Sequence, residues 1–362
     1  MSHENTPEDA LIRIIQRTIK SRGRVRLGIG DDAAVLQDGT VITTDAYAAG
    51  VHFDLSYMTL RQVGERCACG AISDAVAMAA EPEAVLVALA LPRDALRSTL
   101  YAGRSESRTS GVKRQASGLE QVAVALYRGI ESVCAEMGCE VAGGDIIVAD
   151  QLLLALTVTG RTRRPKLRSG ARPGDRLYVT GHLGSAEAGR MILADEFRIQ
   201  KSETRSHNRR GEQRKANGDW RLPLVRRHLR PVPRLVVMRE LKSRIHALID
   251  TSDGLATDAR HLSEMSGVRI VLEADAVSIL PATRRFCAGR GFDPLGFVLG
   301  AGEDFELLFT SACRIPSNVR GVKVTPIGSV QKGSGLWISR AGRTLPVTVS
   351  GYDHLRADGT TC

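Results

Sequence analysis

The sequence predicts an α+β first half, in which helices cover one face of a sheet, followed by a second half that returns to strands alternating with helices. Three observations carry the prediction. Residues 8–20 (EDALIRIIQRTIK) hold apolar side chains at helical spacing, and 61–80 (RQVGERCACGAISDAVAMAA) read as a buried helix rich in small residues. Strand-like runs occupy 41–45 (VITTD), 84–92 (AVLVALALP), 151–161 (QLLLALTVTGR) and 175–181 (DRLYVTG). Their alternation with helices, broken by hairpin-like returns, is the pattern of a layered domain.

The texture changes between 160 and 181, where a basic run, a proline and the turn-forming PGD precede a new strand. A chain of 362 residues with 43% hydrophobic content suits two domains better than one, which places them at 1–165 and 166–362. The second half then reads as a helix at 185–194, a polar insertion, and a helix near 233–247 introduced by prolines. A strand runs into a turn at 247–255, a helix follows, and strands fall at 268–280, 303–310 and 324–330 before a terminal hairpin. No repeat of fixed period appears.

The net charge of +10 invites a nucleic-acid reading, but its location argues against one. Residues 103–120 hold four basic and two acidic side chains and 194–222 hold eight and five, so these stretches supply five of the ten excess charges. Both are poor in large apolar residues and read as mobile surface insertions. The longest apolar run, 84–92, falls far short of the ~20 residues of a membrane-spanning helix. The N-terminus is polar and carries no hydrophobic signal segment, so the expected location is the cytoplasm. Seven cysteines form neither a CxxC pair nor a disulfide framework, and Cys67 and Cys69 have no second Cys/His pair nearby to complete a zinc site.

Five short acidic strings are the chemically informative feature: GIGDDAAVL (28–36), TTDAYAAGVHFD (43–54), AISD (71–74), AGGD (142–145) and IDTSDGL (249–255). Nearly all their aspartates sit beside Gly, Ser or Thr, where strands end and loops begin. Converging, they would offer hard oxygen ligands to a divalent ion. Each has a structural alternative: Asp31 and Asp32 suit a turn or helix cap, and Asp45 and Asp253 suit Asx-turns. His52 suits a packed core position, Arg168 a solvated basic run, Glu303 and Asp304 an exposed strand start, and Tyr352 a terminal anchor. The chain has no GxxxxGK[ST] loop and no kinase-type glycine loop followed by a lysine strand. Phosphate chemistry here would therefore run through carboxylate-held metal.

The landmarks GIGDDAAVL, TTD, GVHF, the SD of AISD, GGD, RSGARPGD, YVTG, RRHLRPVPR, IDTSDGL, GEDFELLF and SGYDH follow one another in order across most of residues 28–354. In this series the chain resembles the thiamine-monophosphate kinases, within the superfamily of aminoimidazole-ribotide and selenophosphate synthetases. The resemblance implies a PurM-like architecture: an α+β N-terminal domain whose sheet pairs with its twin in a homodimer, then an α/β C-terminal domain, with nucleotide in the cleft between. It implies ATP as co-substrate, several Mg2+ ions and thiamine monophosphate as acceptor, with direct attack by the acceptor's phosphate oxygen and no covalent nucleophile on the protein. By position, Asp32, Thr43, Thr44, Asp45, Asp74, Asp145, Asp250 and Asp253 correspond to metal-binding residues. Gly144, Asp145, Arg168 and Ser252 correspond to nucleotide contacts, and His52, Glu303 and Tyr352 to substrate contacts.

The chain also departs from that family. Ala71 replaces the Asn of NLSD, Ala79 the Gly of AMGA and Ala301 the first Gly of GGED, while Ile146, Ile147 and Val148 follow GGD where the family has GGDTT(R). An apolar pair there cannot hydrogen-bond a phosphate or base edge. Two other readings stay open at this point: a sister enzyme using ATP on an amide, ribotide or selenide, and a non-catalytic nucleotide-binding relative. The lack of an N-terminal reactive Cys argues against selenide, and Cys362 lacks the context of the terminal cysteine of a hydrogenase-maturation relative.

Overall fold

A computed structural model describes residues 7–20, 22–93, 118–203, 219–349 and 351, so Tyr352, Cys362 and most of both basic insertions lie outside the described residues. The first half builds a six-stranded sheet from β1 (Val25–Leu27), β2 (Ala34–Leu36), β3 (Thr40–Ala48), β4 (Glu81–Pro92), β5 (Glu140–Ala149) and β6 (Leu153–Arg161). Its order is β1-β2-β3-β6-β4-β5, antiparallel except for the β4–β5 pair, which leaves β5 as an edge.

Two helices cover one face, α2 (Leu60–Ala77) and α3 (Gly118–Met137), while α1 (Pro7–Thr18) precedes the sheet. Thr59 and Gln62 close a capping box at the start of α2. The small residues of α2 have a packing purpose. A Cβ on Gly64 would lie 2.1 Å from the Leu126 carbonyl oxygen, and one on Gly129 would lie 2.1 Å from that of Arg61, so α2 and α3 cross with their backbones touching.

The second half builds an eight-stranded sheet from β7 (Arg176–Thr180), β8 (Leu248–Asp250), β9 (Arg269–Glu273), β10 (Leu307–Ser311), β11 (Asn318–Val319), β12 (Val322–Gln331), β13 (Gly335–Arg340) and β14 (Arg343–Pro346). The order is β14-β13-β9-β12-β7-β10-β8, with β11 beside β12, and only β9–β13 is parallel. Its helices are α4 (Ser185–Glu203), α5 (Leu222–Leu229), α6 (Leu235–Leu241), α7 (Leu255–Ser266), α8 (Pro281–Arg290) and α9 (Pro294–Gly300). The central strands are buried on both faces. Tyr178 and Phe309 join the core beneath α2, whereas the neighbouring Leu177, Val179 and Leu308 join a second core with α7 and α9. The first core runs unbroken from β4 and β6 through α2 to β7, β8 and β10, so α2 is sandwiched between the sheets.

Several sequence expectations need correction. The aspartates do not all end strands: Asp45 lies inside β3, Asp74 inside α2 and Asp145 inside β5. The run at 268–280 is a strand only to Glu273, after which Ala274–Ala276 forms a 3-10 turn. The helix expected at 233–247 spans only Leu235–Leu241, and α4 continues to Glu203, into the stretch read as inserted. Cys67, Cys69, Cys134, Cys139 and Cys287 are free and buried, as a reduced core requires, and Cys313 is free and exposed. Among the described residues no helix is long and apolar enough to cross a membrane.

Candidate active site

The site begins with strand periodicity. Thr43, Asp45 and Tyr47 alternate with Thr44 along β3, so these three face α2 while Thr44 turns to the other side of the sheet, where the Thr157 hydroxyl donates to it at 3.1 Å. Facing them, α2 presents Ser73 and Asp74 near its end. The Thr43 hydroxyl donates to Asp74 Oδ2 at 2.8 Å, and the Tyr47 hydroxyl to Asp45 Oδ2 at 2.7 Å.

The second half closes on this surface. Strand β8 ends at Asp250, whose Oδ2 accepts the Ser73 hydroxyl at 2.6 Å and so joins the halves through a buried hydrogen bond. A 3-10 turn at Arg168–Gly170 holds Arg168, whose Nε donates to Asp32 Oδ1 at 3.0 Å. The other oxygen, Asp32 Oδ2, is buried with no hydrogen-bond partner.

Crowding leaves an electrostatic mark. Burial and the neighbouring Asp45, Asp250 and Asp32 push the Asp74 carboxyl well above its ordinary range. Burial and Asp32 lift Asp250 to about 8, against the pull of the Ser73 hydroxyl and Arg168. Burial and Asp32 lift Asp31 to about 6, and burial with Asp253 and Asp250 raises Asp258 well above normal. Carboxylates at 31, 32, 45, 74, 250, 253 and 258 thus form one field, drawn from both halves of the chain.

Beside this field lies a cavity of about 340 Å3, lined by Gly50–Tyr57 residues including His52, Phe53, Asp54 and Tyr57, and by Arg190, Phe197 and Arg198 of α4. The His52 ring meets Tyr47 edge-on at 5.6 Å, and its Nδ1 accepts the Ala48 amide at 3.1 Å. An accepting Nδ1 places the proton of a neutral imidazole on Nε2. The loop 301–306 lies next to this cavity, with the Glu303 carboxylate close enough to act on the lining Tyr57 and Arg190. Its Glu303 and Phe305 hold left-handed backbone (φ 61° and 49°), fixed by amide bonds from Glu303 to the Ser252 carbonyl (2.7 Å) and from Phe305 to that of Thr251 (2.9 Å). Arg227 and Arg234 clamp the buried Glu306, with Arg234 Nε at 2.6 Å, which explains why RRHLRPVPR and GEDFELLF occur together. Asp304 accepts the Ser185 and Ala186 amides at 3.0 and 2.9 Å, capping α4.

Of the residues singled out in the sequence, Asp32, Thr43, Asp45, Asp74, Arg168, Asp250 and Asp253 come together, with Ser252 bonded to the loop of Glu303. His52 stands at the cavity. Thr44 points to the opposite face. Gly144 and Asp145 lie exposed on β5, three strands from β3, about 14 Å away at ~4.8 Å per strand. Sequence reasoning passed over Tyr47, Arg66, Ser73, Asp258 and Arg190. Ser73 and Tyr47 were legible as neighbours within the quoted strings, and Asp258 as the acidic residue one helical turn beyond SDGL.

Among the described residues no three His, Cys, Asp or Glu side chains are placed to hold a metal ion by themselves. The donor set nonetheless fits magnesium: it is all hard oxygen, it is crowded with like charge, and it leaves Asp32 Oδ2 unpartnered. Magnesium is commonly bound by one or two carboxylates, with phosphate and water completing the octahedron. Asp32, Asp45, Asp74, Asp250 and Asp253 are the residues that would hold it.

A two-sheet chain with an acidic cleft at the junction defines a class, and residues 30–162 match the family model described as AIR synthase related protein, N-terminal domain. The closer kinship is specific. The chain belongs to the thiamine-monophosphate kinase family: it is 30% identical to the Aquifex aeolicus thiamine-monophosphate kinase, with 91% of this chain and 94% of that protein covered. It is also 30% identical to the enzyme of Rhodopirellula baltica, covering 97% and 98%. Among solved structures, AaThiL complexed with AMPPCP and TMP superimposes with a TM-score of 0.73 and 28% identity, over 93% of this chain and 94% of that one.

Proposed function

We propose that this protein transfers the γ-phosphoryl group of ATP to thiamine monophosphate, giving ADP and thiamine diphosphate. The observation that carries the reading is the meeting of carboxylates from both halves of the chain beside a cavity of about 340 Å3 lined by His52, Tyr57 and Arg190. That volume falls in the range of small-ligand sites. A phosphoryl acceptor that is itself a phosphate is largely ionised near neutral pH, so an oxygen of the acceptor attacks the γ-phosphorus, the bond to the β-phosphate bridging oxygen breaks, and no side chain need take a proton. Catalysis is then positioning and charge neutralisation.

Magnesium held by Asp32, Asp45, Asp74, Asp250 and Asp253 would offset the repulsion between the two anions. The chain's own residues hold that arrangement: Thr43 and Ser73 orient Asp74 and Asp250, and Arg168 pins Asp32 and is the cation we assign to nucleotide phosphate. His52 and Glu303 face the acceptor, with aromatic rings beside them suited to its cationic thiazolium. We assign the domains to 1–165 and 166–362 and the location to the cytoplasm. The functional unit is a homodimer built on β5, because that edge exposes Ile146 (58%), Ile147 (55%) and Val148 (44%) beside unpaired backbone groups. The glycines of AGGD serve the strand: Gly144 has φ 151°, and a Cβ there would lie 1.9 Å from the Val87 carbonyl oxygen.

ATP consumption measured with thiamine monophosphate against a panel of ribotides tests the substrate. Thiamine monophosphate should support turnover selectively, and equal or better turnover with a ribotide would sink the assignment. Light scattering should return twice the 39.1 kDa chain mass, and a monomer at working concentration would remove the dimer.

A further inference from the structure

Arg66 is 2% exposed, inside a helix whose other buried residues are mostly small or aliphatic. Burying a guanidinium is costly unless its donors are matched. Here they are matched by three segments far apart in sequence. Nε donates to the His52 carbonyl at 3.3 Å, Nη1 to the His228 carbonyl, and Nη2 to Glu303 Oε2. The first acceptor lies in the loop between β3 and α2, the second near the end of α5, and the third in the left-handed loop after α9.

Each acceptor lies on the cavity wall or next to a residue of it, Glu303 being close to the lining Tyr57 and Arg190. His52 lines it, the His228 ring packs 6.0 Å from that of Tyr57, which also lines it, and the Glu303 side chain remains 32% exposed. The same helix carries Asp74, eight residues on and so about 12 Å along the axis at ~1.5 Å per residue. Thus α2 holds the phosphate-side Asp74 at one end and, through Arg66, the cavity side at the other. A lysine could not serve equally, because one ammonium lacks the planar fork that addresses three separate acceptors.

We propose that Arg66 is a positioning residue for the phosphoryl acceptor: it ties the His52 loop, α5 and Glu303 to α2 and so sets the acceptor wall at a fixed distance from the carboxylates. This rests on the cavity being the acceptor site, as proposed above. Steady-state kinetics of full-length R66Q, R66K, E303Q and the R66Q/E303Q double variant test it. R66Q should raise the KM for thiamine monophosphate about ten- to hundredfold, the range seen when an orienting partner is lost, and leave the KM for ATP within about twofold. R66K should recover part of the loss. In the double variant the E303Q effect should shrink, because Arg66 and Glu303 act as one unit.

Equal rises in both KM values, an unchanged acceptor KM, or strictly additive effects would overturn the proposal. Should R66Q fail to fold, R66K against E303Q decides: both must raise the acceptor KM selectively. Wild-type turnover is measured first. Its absence with thiamine monophosphate overturns the substrate reading and this inference with it, whereas turnover with an unshifted R66Q overturns the inference alone.

Discussion

The acidic cleft and the β5 edge carry the same local signal, an aspartate next to small or hydroxyl residues, and the fold treats them oppositely. Asp250 is 1% exposed and surrounded by other carboxylates, whereas Asp145 is exposed, bonds its oxygen to the following amide of Ile146 at 2.9 Å, and lies three strands from β3. An aspartate beside glycine announces a backbone that turns or kinks, not a ligand. What makes a ligand is a second element arriving opposite, as α2 and β8 do around Asp74 and Asp250.

The largest expected effect tests that contrast directly. D250N should lower kcat by about 10²–10³, the scale of removing a group that stabilises transition-state charge, and should raise the magnesium concentration needed for half-maximal rate. D145N should fall well short of that loss in the same ADP-release assay. If the two losses are equal, the contrast fails, and β5 must reach a cleft through the assembled dimer.

Thr43 and Thr44 divide along the same line at the scale of one residue. T43V removes the hydroxyl that donates to Asp74 and should weaken the magnesium response about tenfold, in the range of lost ligand-orienting partners. T44V, whose side chain meets Thr157 across the sheet, should stay within about twofold. Magnesium titrations of the two variants at saturating ATP read this out, and a T44V as damaged as T43V would place the site on the other face of the sheet.

How much of this was legible follows from the range of each interaction. The helices at 8–20 and 61–80 and the strands at 84–92 and 151–161 showed in local periodicity, and the ordered motifs exposed most of the cleft. Strand β5 did not show, because Gly143 and Gly144, which hold positive φ inside it, interrupt the run of strand-forming residues. Arg66 did not show either. A single arginine among small helical residues carries no local sign that its acceptors lie 14, 162 and 237 positions away. Thr44 was grouped with Thr43 because adjacency in sequence hides the alternation of a strand.

The departures from the family separate the two regions once more. On β5, the Ile146, Ile147 and Val148 that replace polar residues face solvent in one chain and strain nothing, and Ala301 sits in ordinary extended backbone at φ −75°. Ala79 differs: it follows α2 directly, is 3% exposed and holds φ 54°, the left-handed region where a Cβ costs about 1–2 kcal/mol. Glycine removes that cost but gains freedom in the unfolded chain, which returns roughly 0.5–1 kcal/mol. A79G should therefore stabilise the protein by about 0.5–1 kcal/mol, a rise of roughly 1 °C in Tm by calorimetry, without moving either KM. A lower Tm in A79G would mean that the close of α2 is held by contacts of the Ala79 methyl group, and that the cleft helix, like β5, carries its substitution without strain.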